Sequence, residues 1–206
     1  MLTLKKENNI YILSLENKPV NALSIDFISE LSSLIDELSN DDNIKGLIVS
    51  SNLKHFCAGA DLKERASMST EESINTVYSI KSLVSKILNF PHPTLSLIGG
   101  ACLGGGLELA CSCDFRLCSD TAVFSLPETS LGIIPGAGGT QLLPRIIGIT
   151  NAKEMIFSGE KIDANKALSY GLVSCVFNKT ELLDSGLKLM SKLTSNSSLA
   201  INATKR

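Results

Sequence analysis

Glu108 and Glu128 stand twenty residues apart, each in a Gly-rich setting: ACLGGGLELAC (101–111) and FSLPETSLGIIPGAGG (124–139). A carboxylate one turn into a helix opening with Gly104-Gly105-Gly106 lies beside backbone N–H groups that the helix itself cannot use. Such a place can hold a developing oxyanion next to an acid/base group. Glu128, preceded by Pro127, makes a pair with it. The pattern points to an enzyme acting on a carbonyl compound.

Three segments carry this reading. In His55-Phe56-Cys57-Ala58-Gly59-Ala60-Asp61-Leu62, a glycine between two alanines lets backbone approach a ligand with no side chain in the way. Alone, AGAD is a weak signal and reads as a bare structural turn. The triplet Gly104–Gly106 places poor helix formers, each about 1 kcal/mol worse than Ala, where a helix starts. Exposed N–H groups explain that choice, and so does a phosphate-binding or tight-packing turn. No GxGxxG or Walker pattern supports a nucleotide site. The third segment runs from Pro127-Glu128 to Gly136-Ala137-Gly138-Gly139, a flexible backbone wall after a carboxylate. Taken singly, Glu128 would read as a solvated surface residue.

These segments need a scaffold, and the chain supplies one. At 206 residues it suits one domain with a full core. IYILSLE (10–16) reads as a strand, following an N-terminus that is already strand-like. A helix over 26–38 has Ser24 as its N-cap, and GLIVSS (46–51) is a short buried strand. An irregular loop covers 52–68. Ser69-Thr70-Glu71-Glu72 forms a capping box for a long helix to Asn89, ended by Pro91-His92-Pro93. TLSLIGG (94–100) is a strand leading into the Gly-rich helix 104–113. Strands follow at 115–119 and 122–125, then helices near 139–147, 150–157 and 163–170, a strand at 172–177 and a helix over 180–193. Strands and helices alternate, often two strands and then a helix, which predicts an α/β fold in one domain.

Bulk properties exclude several classes. Net charge is −2, without the basic footprint that nucleic-acid binding leaves. No apolar run reaches the roughly 18 residues of a membrane span. Neither a signal peptide nor an Arg-rich transit segment is visible, so a cytoplasmic protein is expected, or a mitochondrial-matrix one if a leader has been removed. The six cysteines (57, 102, 111, 113, 118, 175) read as reduced, buried small hydrophobes. Cys111-Ser-Cys113 with Cys118 matches no common zinc spacing, and no metal is expected. His55 reads as a loop residue and His92, between prolines, as structural. No Ser/His/Asp triad pattern is present.

In this order and spacing the three segments resemble the crotonase (enoyl-CoA hydratase/isomerase) superfamily, from about Ile10 to the C-terminus. FCAGADLKERA (56–66), GGGLELACSCDFRLCSD and PETSLGIIPGAGGTQLLPRIIG carry the likeness. The first of these is closest to the methylglutaconyl-CoA hydratase-like branch. The resemblance implies a crotonase-like spiral of repeated ββα units with the C-terminal helices truncated. It divides the chain into a core domain, 1–195, and the start of a C-terminal helical region, 196–206.

The resemblance also implies roles. An acyl-CoA thioester carbonyl would sit between the backbone N–H groups of Ala60 and Gly105, an oxyanion hole. Glu108 would act as base toward a water and Glu128 as the acid protonating C2, giving syn hydration of a 2-enoyl-CoA. Two carboxylates sharing one water would titrate as a coupled pair. Ala58, Gly59, Asp61 and Leu62 would hold the CoA portion, and Gly136 would stand near the water. No cofactor is implied, since CoA is part of the substrate, and a homotrimer or a hexamer (dimer of trimers) is the expected assembly. Both glutamates together favour hydration over isomerisation.

Two alternatives follow from departures. The family chain usually runs further, so this one reads either as truncated or as covered by a neighbouring subunit, and a shortened inactive paralogue serving as an oligomer partner is the second reading. The third is an RNA-binding homologue. Relatives that bind RNA use a Lys-rich first helix, whereas SIDFISELSSLIDELSNDD (24–42) has six acidic residues and no Lys or Arg, so no nucleic-acid partner is expected. Acyl chain length would depend on the loop 63–72 and the helix 70–89.

Overall fold

The computed structural model describes residues 1–205; Arg206, the end of the expected 196–206 segment, lies outside the described residues. Strands β1 (Leu2–Glu7), β2 (Ile10–Leu15), β3 (Gly46–Ser51), β4 (Thr94–Ile98), β6 (Phe115–Ser119) and β9 (Cys175–Phe177) form one sheet, in the order β1-β2-β3-β4-β6-β9. β1 pairs antiparallel with β2, and every later neighbour pairs parallel. β2 and β4 are buried at every position, as parallel strands covered on both faces must be. A second sheet holds β5 (Ala101–Leu103), β7 (Val123–Ser125) and the two-residue β8 (Ile162–Asp163), in that order.

The two sheets explain the expected repeat. β4 then β5, and β6 then β7, each step from the large sheet to the small one before the chain turns helical. An isolated parallel bridge between Cys57 and Cys102 attaches the loop after β3 to the same small sheet. The α/β spiral of ββα units is therefore present. One expected strand, 94–100, divides into β4 and β5. The reason is Gly99-Gly100 between them: a Cβ at Gly100 would meet the backbone carbonyl of Lys54. The expected strand at 172–177 contracts to β9, while β1 and β8 are separate strands the pattern did not resolve.

Helices α1 (Ile25–Ser39) and α3 (Thr70–Leu88) cover one face and pack on each other. Both start as their caps predict. Ser24 Oγ accepts from the Phe27 N–H, and Ser69 and Glu72 close a complete capping box. Between them lies α2 (Leu62–Arg65), a single turn inside the expected loop, nucleated by Asp61 accepting from the Lys63 and Glu64 amides. α4 (Gly105–Ser112) is buried along its whole length, packed against α3, β5 and α5 (Gly139–Ile147). α6 (Ile149–Ser158) and α7 (Ala164–Ser169) follow.

On the opposite face α8 (Leu182–Thr194) closes a smaller core containing Ile12, Ile48, Leu97, Leu117 and Met190. Gly186 permits that approach, since a Cβ there would stand 2.8 Å from Leu97 Cδ2. The last described helix is α9 (Ser198–Lys205). Five of the six cysteines are buried thiols as expected. Cys175 is the correction, exposed because it opens β9 at the sheet edge. No helix among the described residues is long and apolar enough to cross a membrane.

Candidate active site

The turn from β5 into α4 sets the first carboxylate. Gly104 takes φ +52°, a left-handed value that a side chain would strain, and donates its N–H to Ser125 of β7 at 2.9 Å. Gly106 answers a different need. A Cβ there would stand 2.8 Å from the Cys57 Cβ, so this glycine lets α4 lie on the Cys57 backbone. The triplet thus serves both readings the sequence left open, free amides at its start and close packing at its end.

One turn on, Glu108 is 3% exposed. Its Oε1 accepts from the Ala137 N–H at 2.8 Å and the Gly139 N–H at 2.7 Å. Burial raises its pKa, while the amides of residues 137–139 pull the other way and leave a net upward shift. The GAGG run is therefore a clamp on Glu108. Ala137 and Gly139 were not singled out as site residues, although the run itself marked them.

Glu128 sits on a 3-10 turn, Pro127–Leu131, that no periodic pattern announced. It is 8% exposed, and its Oε2 is buried with no hydrogen-bond partner among the described residues. Burial pushes its pKa up to about 7, and the charge of Glu108 adds to the rise. Two chemically identical side chains thus face one cavity with different hydrogen-bond partners. Glu108 is held by donors that favour the anion, and Glu128 keeps its proton close to neutral pH.

The backbone opposite is the AGAD loop. Gly59 adopts φ +86°, and a Cβ on it would stand 2.9 Å from the Leu103 carbonyl and 3.1 Å from the Gly105 nitrogen. A Cβ on Gly105 would lie 3.8 Å from the Ala60 nitrogen, so the two loops press together. Neither the Ala60 nor the Gly105 N–H has an acceptor among the described residues. Leu23 holds the loop through its N–H to Gly59 O at 2.8 Å and its carbonyl to the Asp61 N–H at 3.4 Å.

Behind it, the fully buried Asn21 donates to Phe56 O at 2.9 Å and Ser51 Oγ at 2.8 Å, and accepts from the Asn17 N–H at 2.7 Å. Asn21 supports the loop's backbone. Sequence reading missed it, because a lone Asn before a helix gives no local signal of such a role.

Ala58, Gly59, Ala60, Leu62, Gly105, Glu108, Glu128 and Gly136 all line one cavity of about 740 Å³. Asp61 does not line it, since its carboxylate caps α2. The rest of the wall is mostly apolar, from α3 (Ile74, Val77, Tyr78), from Leu131 at the end of the 3-10 turn and from Ile133 and Ile134 after it. The described residues contain no His/Cys/Asp/Glu group arranged to hold a metal ion.

The sequence profile of the enoyl-CoA hydratase/isomerase family matches residues 5–206. The chain belongs to that family. A Bacillus subtilis protein named as a putative enoyl-CoA hydratase/isomerase, YngF, is 38% identical over the whole of this chain and 79% of its own length. Human mitochondrial methylglutaconyl-CoA hydratase is 46% identical over 78% of this chain. This chain's match spans 64% of an Arabidopsis thaliana relative and about half of the mouse and human methylglutaconyl-CoA hydratases. Among solved structures, an enoyl-CoA hydratase from Bacillus anthracis superposes with a TM-score of 0.96 at 36% identity, over 99% of this chain and 80% of that one. The fold is that of the crotonase superfamily.

Proposed function

We propose that this chain hydrates 2-enoyl-CoA thioesters by syn addition of water across C2=C3. The carrying observation is the pair of buried glutamates in opposite hydrogen-bonding states, facing two unpartnered amides across one cavity. The thioester oxygen accepts from the Ala60 and Gly105 N–H groups as charge builds on it. A single such donor is typically worth about 3–4 kcal/mol. The dipole of α4 behind Gly105 acts in the same sense.

Glu108 takes a proton from water as its oxygen bonds to C3, and Glu128 delivers its own proton to C2. The product is the 3-hydroxyacyl thioester, and the proton returns from Glu108 to Glu128 between turnovers. No further cofactor enters, because CoA belongs to the substrate. Ala58, Gly59 and Leu62 line the approach for the CoA arm, and Gly136 carries the wall beside the water. The assembly we propose is a homotrimer or a dimer of trimers.

The test is loss of the enoyl absorbance of crotonyl-CoA with the purified chain. Glu108→Gln and Glu128→Gln should each lower kcat by about two to four orders of magnitude, the range for removal of a general acid or base. Methylglutaconyl-CoA, after which the mouse and human relatives are named, is the next thioester to offer. A folded chain that leaves both thioesters untouched would refute the hydratase reading and favour the shortened oligomer partner.

A further inference from the structure

One fully buried residue, Leu23, touches both loops that carry the unpartnered amides and belongs to neither. Its backbone forms an isolated parallel bridge with Ala60. The Leu23 N–H donates to Gly59 O at 2.8 Å and its carbonyl accepts from the Asp61 N–H at 3.4 Å, so the two bonds flank the Ala60 amide. The side chain goes to the other loop. Leu23 Cδ1 lies 3.1 Å from the place a Cβ on Gly105 would take, nearer than Gly59 Cα at 3.7 Å or the Ala60 nitrogen at 3.8 Å. Leu23 does not line the cavity.

Neighbours on both sides fix it in place. Asn21, at φ +54°, donates to Phe56 O at 2.9 Å, and Ala22 O accepts from the Ser24 N–H at 3.0 Å where Ser24 caps α1. A residue tied by backbone to one donor and by packing to the other controls the distance between them. Protein interiors are close-packed, so a methyl group in such a contact keeps its neighbours apart as firmly as it attracts them.

We propose that Leu23 is a positioning residue: its side chain is the spacer that sets the separation and aim of the Ala60 and Gly105 N–H groups. This rests on the hydratase reading above, in which those amides hold the thioester oxygen. Hydrogen bonds weaken steeply as they leave line, and an oxyanion hole works only while its donors point at the place where charge develops. Shortening the spacer lets the Gly105 turn and the AGAD loop shift against each other. The loss then falls on the transition state, whereas ground-state binding draws on the whole CoA arm.

The test compares Leu23→Val, which keeps an apolar side chain but shortens it, with Leu23→Met, which keeps both reach and volume. One readout is hydration of crotonyl-CoA. The other is the carbonyl stretching frequency, by infrared difference spectroscopy, of bound butyryl-CoA labelled with carbon-13 at its carbonyl. Butyryl-CoA is saturated and inert to hydration, and hydrogen bonds to its carbonyl lower that frequency. Leu23→Val should lower kcat about tenfold to a hundredfold, the range for a misplacement of about 1 Å, with KM changed by less than about twofold. Its bound carbonyl frequency should move back toward that of the free thioester, and Leu23→Met should recover most of both effects. A folded Leu23→Val chain with the wild-type carbonyl frequency would overturn the proposal, because Leu23 would then be core packing alone. So would a Leu23→Met chain as impaired as Leu23→Val. If Leu23→Val does not fold, Leu23→Ile, which keeps the volume and moves the branch to Cβ, takes its place with the same readouts. If the wild type leaves crotonyl-CoA untouched, the hydratase reading has failed separately. The carbonyl frequencies then decide: a lowering in wild type that Leu23→Val reverses supports the assignment, and an absent or unlowered signal in wild type ends it.

Discussion

Glu108 and Glu128 differ in partners rather than in chemistry. Two amides hold Glu108, whereas one oxygen of Glu128 has none, and in the proposed reaction this asymmetry would divide the roles of base and acid. It also couples stability to pH. The folded state lifts the Glu128 pKa from 4.5 to about 7, so the folded chain binds that proton more tightly than the unfolded chain does. The resulting stabilisation is fully present below about pH 4.5 and is lost as pH rises through about 7. Glu128→Gln carries no charge to bury. Near pH 8 it should be more stable than wild type by about 1–2 kcal/mol, after allowance for solvent screening at a cavity wall, and the gap should shrink toward pH 4. Urea denaturation midpoints across this range measure it; a gap independent of pH would mean that burial of the charge is not its source. Both glutamates were legible in the sequence because each stands in a Gly-rich frame. Their unequal hydrogen bonding was not, because it depends on amides from residues 137–139 folding back onto α4.

At the scale of elements, the start of α5 works as a part of the site. Gly139 donates to Glu108, and a Cβ there would stand 2.8 Å from Pro135 Cβ and 3.1 Å from Glu108 Oε1. Gly139→Ala should therefore push the carboxylate aside, lowering kcat by about tenfold and costing about 1–3 kcal/mol of stability, as overpacking does. Steady-state kinetics and a thermal melt read the two effects, and an unaffected kcat would show that Glu108 tolerates the shift. Helix starts were legible because caps are local: Ser24 and the Ser69–Glu72 box act within three residues. The break between β4 and β5 was not, since it is decided by Lys54, more than forty residues upstream of Gly100 in the chain. The 3-10 turn under Glu128 escaped for a similar reason. Five residues held by Thr129 Oγ1 donating to Ile156 O at 2.7 Å leave no periodic trace.

Across the whole molecule, the site gathers residues from 21 to 139, and the sheets make that possible by stepping between layers at each ββα unit. The order of motifs revealed the fold class, whereas the cavity wall emerges only when the loop at 58–62, α3 and the segment 127–137 converge around the start of α4. One contact joins the last helix to this frame. Asp114, just before β6, accepts from the Thr94 N–H at 2.7 Å, Thr94 Oγ1 at 3.0 Å and Lys205 Nζ at 2.7 Å. Lys205 also donates to His92 O at 2.9 Å. Asp114→Ala would strip an amide and a hydroxyl of their acceptor and leave the half-buried Lys205 ammonium with only the His92 carbonyl. Its expected cost is about 2–4 kcal/mol, read from the denaturation midpoint; a change below about 0.5 kcal/mol, the range of an ordinary surface substitution, would show that the tie is replaceable.

Burial drives the Cys57, Cys113 and Cys118 thiols up to about 12 and Cys111 to about 11, and lifts Cys102 well above the ordinary thiol value, while Cys175 opens an edge strand in contact with solvent. Alkylating reagents attack thiolates, so the native chain presents them one reactive sulfur and the denatured chain six. Labelling stoichiometry is thus a direct count of molecules that have lost their fold, and a dye on Cys175 reports from the sheet margin.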